Sequence, residues 1–446
     1  MLKSAQLAYI AIICALILSC SSSKTIVLEV NPKVALLDES VSVRIVNCPA
    51  EQQVKLRASV IDDDSVMWKS ENIFVPEGNV IELATAAPAS GSYALPEAMG
   101  FIWSMKPDPY ESVLFSSKNL TPLTVNFQVY LADSLVASTE ITRLRIKEGV
   151  QRKEIRDNGL VGTFFVPENA SNVPAIIDLT GSGGGMSETC AALFASHGYA
   201  SLALAYFGSE TLPKTLTHIP LEYFKKAIEF LQHQNGVDPE KIAVIGGSRG
   251  GELSLLLGAT YPEIKCVIGY VPGIYRCPGA EGPAWILNDK PLPFISSSGD
   301  EQVMAEIQRS MASGEATSFL PMFTSIINDS DAIRGTEIPI ENINGNILLI
   351  SGQDDQLWPS STMSEMAMER LKSNDFKHYY KHLSYPDAGH MISAPFIPTT
   401  ISDATHPVNG VFMKLGGTPE GNAYARMDSW EQILKFLDES FKTDSI

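Results

Sequence analysis

Short apolar runs separated by turn-forming residues characterise the first third of the chain. The runs are rich in Val, Ile, Leu and Thr, which are residues that strands favour. Several short strands separated by turns are typical of a β-sandwich, so we predict an all-β, immunoglobulin-like sandwich over residues 25–148. The predicted strands are Thr25–Val30, Ser42–Val46, Val54–Val60, Leu123–Tyr130 and Thr139–Ile146.

Beyond residue 148, apolar strands alternate with helical patterns. This alternation predicts a mostly parallel sheet whose two faces are covered by helices, and we assign residues 149–446 to such an α/β domain. The predicted strands are Gly159–Val166, Ala175–Leu179, Ala200–Tyr206, Ile242–Ile245, Cys266–Val271 and Ile347–Ser351. The predicted helices are Glu188–His197, Leu221–Gln234 and Trp430–Phe441.

The alternation breaks at about residues 273–345, in a stretch rich in Gly, Pro and Ser. One helix is predicted within this insertion, at Glu301–Ala312. In an open parallel sheet, an insertion at this position lies over the carboxyl ends of the strands. We expect it to cover the active site and to shape specificity, and the alternative is a surface excursion without a catalytic role.

A serine lies at a sharp predicted turn of the second domain. Gly246-Gly247-Ser248-Arg249-Gly250 follows the apolar strand Ile242–Ile245 and precedes the apolar helical run Glu252–Leu257. A serine with glycine two residues to either side, between a strand and a helix, is the nucleophile elbow of α/β-hydrolases. Its backbone is strained there, and side chains at positions 246 and 250 would clash with neighbouring elements. We predict an α/β-hydrolase with Ser248 as the nucleophile; without its context, the bare pattern would equally fit a loop.

A serine hydroxyl needs an adjacent base, and the base needs an acid that holds its tautomer. In α/β-hydrolases both follow the serine, in the order acid and then histidine. A short glycine-containing loop connects the predicted strand Ile347–Ser351 to Asp355, and we predict Asp355 to be the acid. Asp354 is the runner-up, although we favour a turn or N-cap role for it.

Among seven histidines, only His390 follows a late strand through a glycine turn, and we predict it to be the general base. The other histidines are assigned ordinary roles. His197 and His233 are placed on helix surfaces, His218 and His406 in loops, and His378 and His382 in a polar segment before the last strand.

Three consecutive glycines follow an early strand, in Thr180-Gly181-Ser182-Gly183-Gly184-Gly185. A glycine-rich loop can turn its backbone N–H groups towards a developing negative charge. We expect the oxyanion hole to take one N–H from Arg249 and one from Ser182, with Gly183 as the next candidate. A phosphate-binding loop would require a Lys-Ser or Lys-Thr pair that does not follow here. For Glu252, in the first turn of the elbow helix, we favour interaction with the helix dipole over catalysis.

Acidic residues outnumber basic ones by 51 to 33, which gives the 446-residue chain a net charge of −18. This balance argues against nucleic acid or an anionic membrane surface as a binding partner. The cysteine spacing fits no zinc motif, and we expect neither a metal nor a cofactor. Cys266 and Cys277 are close enough in sequence to pair in an oxidising compartment, and buried free thiols are the alternative.

The N-terminus has the pattern of an export signal. Met1-Leu2-Lys3 is basic, and Ala5–Leu18 is an apolar run too short for a comfortable membrane span. Ile17-Leu18-Ser19-Cys20 resembles the lipobox of bacterial lipoproteins. We therefore expect a signal peptide over residues 1–19, lipidation of Cys20 and a linker over residues 20–24. The chain would then be anchored to a bacterial membrane on its periplasmic or extracellular face; an ordinary secretory signal or a single-span anchor are the alternatives.

Several stretches in both predicted domains resemble one known family. They are GFIWSMKP from Gly100, GTFFVP from Gly162, IIDLTGSGGG from Ile176, LALAYF from Leu202, LEYF from Leu221, SRGGEL from Ser248 and GQDD from Gly352. The chain is similar to the acyl-CoA thioesterase and bile acid-CoA:amino acid N-acyltransferase family, in which a β-sandwich precedes an α/β-hydrolase. The resemblance covers most of the chain after the predicted signal.

This resemblance implies a Ser/Cys–Asp–His triad that acts on acyl thioesters through an acyl-enzyme, at Ser248, Asp355 and His390. Members that conjugate acyl groups to amino acids carry cysteine as the nucleophile, so serine at position 248 favours hydrolysis. Familiar members are intracellular, where acyl-CoA is available. The predicted export of this chain departs from that pattern. The identity of the thiol that leaves from the thioester is therefore not settled by the resemblance.

The sequence therefore predicts a serine acyl hydrolase whose substrate is a small-molecule acyl thioester or ester. An exported carboxylesterase or peptidase and an acyl-CoA:amino acid N-acyltransferase are the alternative enzymes. A surface-binding protein with a vestigial hydrolase domain is the alternative outside enzymes. A complete candidate triad together with both glycine-rich elements speaks against the last.

Overall fold

The computed structural model describes residues 25–442. The predicted signal peptide over residues 1–19 and the whole predicted linker over residues 20–24, including Cys20, lie outside these residues. Within them, no helix combines the length and the apolar character needed to cross a bilayer.

Two sheets form the first domain, and the predicted all-β fold is confirmed. The first sheet has the order Val27–Asn31, Ser42–Val46, Val80–Glu82. The second has the order Val34–Leu36, Ser134–Leu144, Leu123–Leu131, Val54–Ile61, Met67–Phe74, Ser90–Gly91, and Lys106–Pro107 also pairs with Met67–Phe74. Alternate residues of Val54–Ile61 are buried, as expected for strands that present one face to a core. A short helix, Gly100–Trp103, packs within this domain.

Eight strands form the sheet of the second domain. They are β1 Val150–Ile155, β2 Val161–Pro167, β3 Val173–Leu179, β4 Ala200–Ala205, β5 Val237–Gly247, β6 Ile264–Tyr270, β7 Asn346–Gly352 and β8 Tyr380–Tyr385. Their order is β1-β2-β4-β3-β5-β6-β7-β8, with β2 antiparallel to both neighbours and all other pairs parallel. This topology confirms the predicted α/β-hydrolase fold. It also places the carboxyl ends of β3 and β5–β8 at one edge of the sheet.

Seven longer helices accompany this sheet. They are α1 Glu188–Ser196, α2 Leu221–Gln232, α3 Arg249–Thr260, α4 Glu301–Ser313, α5 Leu320–Ile327, α6 Ser360–Ser373 and α7 Pro419–Phe441. The shorter elements are the helical turns Asp157–Gly159, Ser330–Ile333 and Ile340–Asn342 and the strands Ile219–Pro220, Trp285–Leu287, Lys290–Pro291, Asp403–Thr405 and Phe412–Lys414.

The helix predictions were incomplete at two places. The insertion contains α5 and two short helical turns in addition to α4, so the expectation of one helix was wrong. The last helix begins at Pro419 instead of Trp430, where Thr418 accepts a hydrogen bond from the N–H of Gly421 and caps it. The first turns of this helix contain many polar residues. The helical spacing of apolar residues, from which the helix was predicted, is therefore recognisable only from Trp430 onwards.

Cys266 and Cys277 are free and buried, so the alternative of a disulfide between them is excluded. Cys266 lies on β6 and packs in the core shared with the sandwich. Cys277 packs in a second core, together with residues such as Val267 from the opposite face of β6.

The two domains share a continuous hydrophobic core, which contains sandwich residues together with one face of the second sheet, α1 and α7. A buried carboxylate adds a polar contact across this interface. Asp38, whose side chain is 1% exposed, accepts a hydrogen bond from Trp430 Nε1 at 2.8 Å and pairs with His197 Nε2. His197 therefore links the domains and is not the ordinary surface residue that the sequence suggested.

We predict that His197→Ala destabilises the protein more at about pH 5.5 than at about pH 9. The hydrogen bond to Asp38 raises the pKa of His197 above its ordinary value. The folded protein therefore holds this proton more tightly than the unfolded chain does. The resulting stabilisation is complete below the unfolded pKa and is lost as the pH rises through the folded pKa.

Urea unfolding of both proteins at the two pH values measures this difference. His233→Ala is the matched control, because His233 also ends a helix, α2, but is exposed and has no carboxylate partner among residues 25–442. A destabilisation by His197→Ala that is the same at both pH values would contradict the role assigned to the Asp38 pair.

Candidate active site

Ser248 occupies a sharp turn between β5 and α3, with φ at 57° and ψ at −118°. Its N–H donates to the carbonyl of Tyr270 on the neighbouring strand at 2.9 Å. A Cβ at position 246 would lie 2.4 Å from the Gly250 carbonyl oxygen, and one at position 250 would lie 2.5 Å from that of Thr180. The predicted need for glycine at both positions is therefore confirmed.

His390 and Asp355 form a buried pair. The Nδ1 atom of His390 lies 3.0 Å and 2.9 Å from the two carboxylate oxygens of Asp355. The two residues are 6% and 2% exposed, respectively. Because an ionised carboxylate only accepts, Nδ1 carries the proton in this pair and Nε2 is left as the free acceptor of the ring.

The Asp355 carboxylate accepts three further hydrogen bonds. Its Oδ1 accepts from the N–H groups of Leu357 and Trp358, and its Oδ2 accepts from the Ser360 hydroxyl at 2.7 Å. These donors stabilise the charged form and fix the carboxylate in place. The runner-up Asp354 is exposed and accepts from Gln356 Nε2 and the N–H of Gly417, so it makes no contact with His390.

Residues 415–417 hold the loop that carries Asp355 next to the loop that carries His390. Gly416 forms a bridge with Asp355, Gly417 forms one with Ala388, and the N–H of His390 donates to the carbonyl of Leu415. A Cβ on Gly416 would lie only 1.9 Å from the Asp354 carbonyl oxygen. The loops after β7 and β8 are thus held side by side by backbone contacts that only glycine permits.

Ser248 and His390 both line a cavity of about 350 Å³ at the carboxyl edge of the sheet. Their side chains do not hydrogen-bond to each other within the described part of the chain. Trp358 lies edge-on against the His390 ring, with ring centroids 5.9 Å apart, and donates from Nε1 to the Val271 carbonyl. The arrangement leaves His390 Nε2 free for the serine proton while the rest of the ring is restrained.

The glycine-rich loop after β3 lies next to the elbow. A Cβ on Gly181 would lie 3.3 Å from the Ser248 Cβ, so the two turns are in close contact. Ser182 lines the cavity, and its N–H donates to no group among residues 25–442. Gly183 is exposed and does not line the cavity, which favours Ser182 over Gly183 as an N–H donor.

His406, placed only in a loop by the sequence, contacts this glycine-rich loop. Its Nδ1 accepts from the N–H groups of Val408 and Asn409, so the ring proton lies on Nε2. Nε2 donates to the Ser182 hydroxyl at 2.9 Å. Burial lowers the pKa of His406, which favours the neutral ring that this pattern requires. No local signal could have identified the contact, because 224 positions separate the two residues.

Arg249 and Glu252 link the elbow helix to the insertion. The Arg249 guanidinium donates to the carbonyls of Cys277 and Pro278 and lies 3.0 Å from Glu252. Glu252 is fully buried and accepts from Trp285 Nε1 at 2.8 Å and from the N–H of Cys277. Its role is therefore structural, although it is a buried anchor and not merely a partner of the helix dipole.

The insertion supplies much of the cavity wall. Pro278, Gly279 and Ala280 line it, as do Phe319, Met322 and Phe323 at and within α5. The insertion therefore lies over this cavity, as expected, and its role in specificity stays a prediction. The loop after His390, which the sequence did not connect with the site, contributes His406, Val408, Asn409 and Met413.

The remaining histidines lie elsewhere. His382 is within β8, not before it, and its Nε2 pairs with the Ser351 hydroxyl at 2.7 Å. Burial lowers the pKa of His382 to about 4. Among residues 25–442, no three His, Cys, Asp or Glu side chains are grouped so that they could hold a metal ion.

Comparison with known proteins gives matches over both domains. The model of the acyl-CoA thioester hydrolase/BAAT N-terminal region matches residues 38–157, and that of the BAAT/acyl-CoA thioester hydrolase C-terminal region matches residues 219–443. A solved dienelactone hydrolase-like phosphotriesterase from metagenomic libraries aligns at a TM-score of 0.40 and 16% identity, covering 66% of this chain and 98% of its own. The fold assignment rests on strand order, not on that likeness.

Curated relatives cover nearly the whole chain. Mitochondrial acyl-coenzyme A thioesterase 2 of Rattus norvegicus is 28% identical across 92% of this chain and 88% of its own. Acyl-coenzyme A thioesterase 6 of Homo sapiens is 29% identical across 90% and 93%. Acyl-coenzyme A amino acid N-acyltransferase 2 of Rattus norvegicus is 31% identical across 91% and 96%. On these matches, the chain belongs to the BAAT/acyl-CoA thioester hydrolase family.

Proposed function

We propose that this protein is a serine acyl hydrolase that cleaves acyl thioesters through an acyl-enzyme on Ser248. The proposal rests chiefly on the buried His390–Asp355 pair, whose histidine lines the same cavity as the strained elbow serine. Thioesterases among the relatives support the substrate class. In this proposal Ser248 is the nucleophile, His390 the general base and Asp355 the acid that orients it.

In the first half of the reaction, Ser248 Oγ attacks the thioester carbonyl and its proton passes to His390 Nε2. The imidazolium that forms is stabilised by the Asp355 carboxylate on the other side of the ring. When the tetrahedral intermediate collapses, the carbon–sulfur bond breaks and the thiol leaves with the proton from His390. The acyl group then remains on the serine as an ester.

The negative charge on the attacked oxygen needs donors that are already in place. The N–H of Arg249 follows the nucleophile, and the N–H of Ser182 is unoccupied in the facing loop. His406 is a positioning residue in this proposal, because its hydrogen bond to the Ser182 hydroxyl fixes the donor loop. Removing one such donor typically costs 10²–10³-fold in kcat.

In the second half, water attacks the acyl-enzyme with His390 as the base, and the free acid is released. An amino acid amine in place of water would give N-acyl transfer, the activity named for one of the relatives. The serine nucleophile favours hydrolysis, since the transferases that the chain resembles carry cysteine at this position. Transfer is therefore the runner-up reaction of the same site.

The leaving group is the open part of the substrate. Relatives are named for acyl-coenzyme A, whereas the first twenty residues have the pattern of an export signal with lipidation at Cys20. Familiar members of the family that the chain resembles act inside the cell, where acyl-CoA is available. Export of the protein is thus part of the proposal. Because the thiol is open, we infer that the acyl thioester is recognised mainly through its acyl part, in the cavity lined by Phe319, Met322 and Phe323.

We predict that Ser248→Ala abolishes turnover and leaves the fold intact, because only the attacking oxygen is removed. Acyl-CoA, an acyl N-acetylcysteamine thioester, an aryl ester and a peptide are assayed side by side, with and without added amino acids. Wild-type preference for the two thioesters supports the proposal. Unchanged turnover by Ser248→Ala would refute it, and preference for the aryl ester or the peptide would favour the exported esterase or peptidase.

We predict that Asp355→Asn lowers kcat by about 10³–10⁴-fold. An amide in place of the carboxylate removes the charge that stabilises the imidazolium and can reverse the ring tautomer. Asp354→Asn is the matched control, since Asp354 is the adjacent, exposed carboxylate without contact to His390. Initial rates on one thioester measure both variants, and equal losses in the two would contradict the assignment of the acid.

We predict that His406→Leu lowers kcat by about ten- to a hundredfold with little change in KM, because the oxyanion loop loses its support. His406→Gln, whose amide can still donate to the Ser182 hydroxyl, is expected to recover part of the loss. Steady-state kinetics of the two variants separate positioning from packing. A purely structural role would give equal losses in both, with matching losses of thermal stability.

A further inference from the structure

A second cavity, of about 240 Å³, lies between the sandwich and the α/β domain. It shares no lining residue with the cavity that contains Ser248. Leu37, Trp68 and Phe115 of the sandwich form one apolar wall, and Ala394 and Ile401 of the second domain contribute to another. The cavity is therefore separate from the proposed catalytic chemistry.

One cation lines this cavity without a counter-ion. Arg426 on α7 is 5% exposed, and its Nε donates to the carbonyl of Met391 at 2.8 Å. Its Nη1 has no hydrogen-bond partner, and no carboxylate lies within ion-pair distance among residues 25–442. The described residues that line the cavity include no Asp or Glu, although the chain has 51 of them.

No titratable group around Arg426 forms an ion pair with it within residues 25–442, and this includes Glu97 and Glu420, which line an adjoining cavity together with Arg426. Burial raises the pKa of Cys190 to about 12 and that of the Tyr270 hydroxyl well above its ordinary value, so both are neutral near pH 7. The buried Asp178 carboxyl makes no ion pair with Arg426, and burial raises its pKa to about 7. Burial lowers the pKa of Arg426 only to about 10, so the guanidinium remains charged. A buried charge without a partner is costly, and a bound anion would offset that cost.

We propose that this cavity binds a small monocarboxylate with an apolar chain, with its carboxylate on Arg426. A guanidinium matches a carboxylate in geometry and charge, and it can make two parallel hydrogen bonds to it. The hydroxyls of Ser187 and Ser393 line the same cavity and can donate to the bound acid. The walls at Trp68 and Ile401 receive the chain, and the volume restricts it to short or medium length.

The site has a physical connection to His390. Arg426 holds the carbonyl of Met391, the residue after His390, and Asn422 accepts from the N–H of Gly389, the residue before it. Both Arg426 and Asn422 line the cavity. A carboxylate bound to Arg426 therefore contacts α7. The Arg426 and Asn422 side chains of this helix hold the residues on either side of His390.

Isothermal titration of the whole protein with sodium octanoate at constant ionic strength tests the proposal. Octan-1-ol lacks the charge and acetate lacks the chain, so both are expected to bind at least about tenfold more weakly. Arg426→Gln is expected to remove one octanoate site. Arg334→Gln, which changes an exposed arginine, is the matched control and should retain it.

Octanoate that binds Arg426→Gln with the stoichiometry and affinity of the wild type would overturn the proposal, as would equal binding of octan-1-ol or acetate. Leu114→Glu provides a second test in case Arg426→Gln does not fold. Leu114 is 38% exposed and lines the cavity, so the new carboxylate is tolerated by the fold and repels the ligand. Unweakened octanoate binding by this variant would equally contradict the assignment. The titration detects binding and does not depend on the proposed hydrolase activity.

Discussion

Ser248 holds a backbone conformation, φ 57° and ψ −118°, that costs a residue other than glycine about 1–3 kcal/mol. The neighbouring strands make it possible. The serine N–H donates to Tyr270 on β6, and Gly250 lets α3 approach the backbone of Thr180 on the other side. The same close approach brings the glycine-rich loop against the elbow. One constraint of the backbone therefore positions both the candidate nucleophile and the loop that faces it.

The acid and the base depend on backbone pairing in a similar way. Gly416 and Gly417 bridge the loops after β7 and β8, and the His390 N–H is held by the carbonyl of Leu415. Arg249 and Glu252 then fasten the insertion to the elbow helix through buried polar contacts with Cys277, Pro278 and Trp285. The cavity wall and the candidate triad are thus anchored to the same short stretch of chain. Substitutions at Glu252 should affect both together.

Local sequence patterns were sufficient to predict those elements that are determined by residues close together in the chain. The alternation of apolar strands and helices predicted the parallel sheet, and the spacing of glycines around Ser248 predicted the elbow. Asp355 and His390 were selected by order along the chain, and the structure brings the two side chains together. Their catalytic roles remain predictions.

Contacts between distant positions could not be predicted from the sequence. The hydrogen bond from His406 to Ser182 crosses 224 positions, and the pairing of Asp38 with Trp430 crosses 392. Glu252 looked like a partner of the helix dipole because its burial depends on Trp285, far along the chain. The unpaired Arg426 is recognisable only once the domain interface is known. Each of these features depends on tertiary packing, which local propensity does not contain.

The proposed hydrolase chemistry requires Ser248 to be an activated nucleophile. Incubation with an alkyl fluorophosphonate, followed by peptide mass spectrometry, tests it most directly, because only a serine made reactive by its base attacks such a probe. We expect one phosphonyl adduct, on Ser248, that forms far more slowly in a His390→Ala variant. Absence of labelling in the folded wild-type protein, or an adduct on another residue, would contradict it.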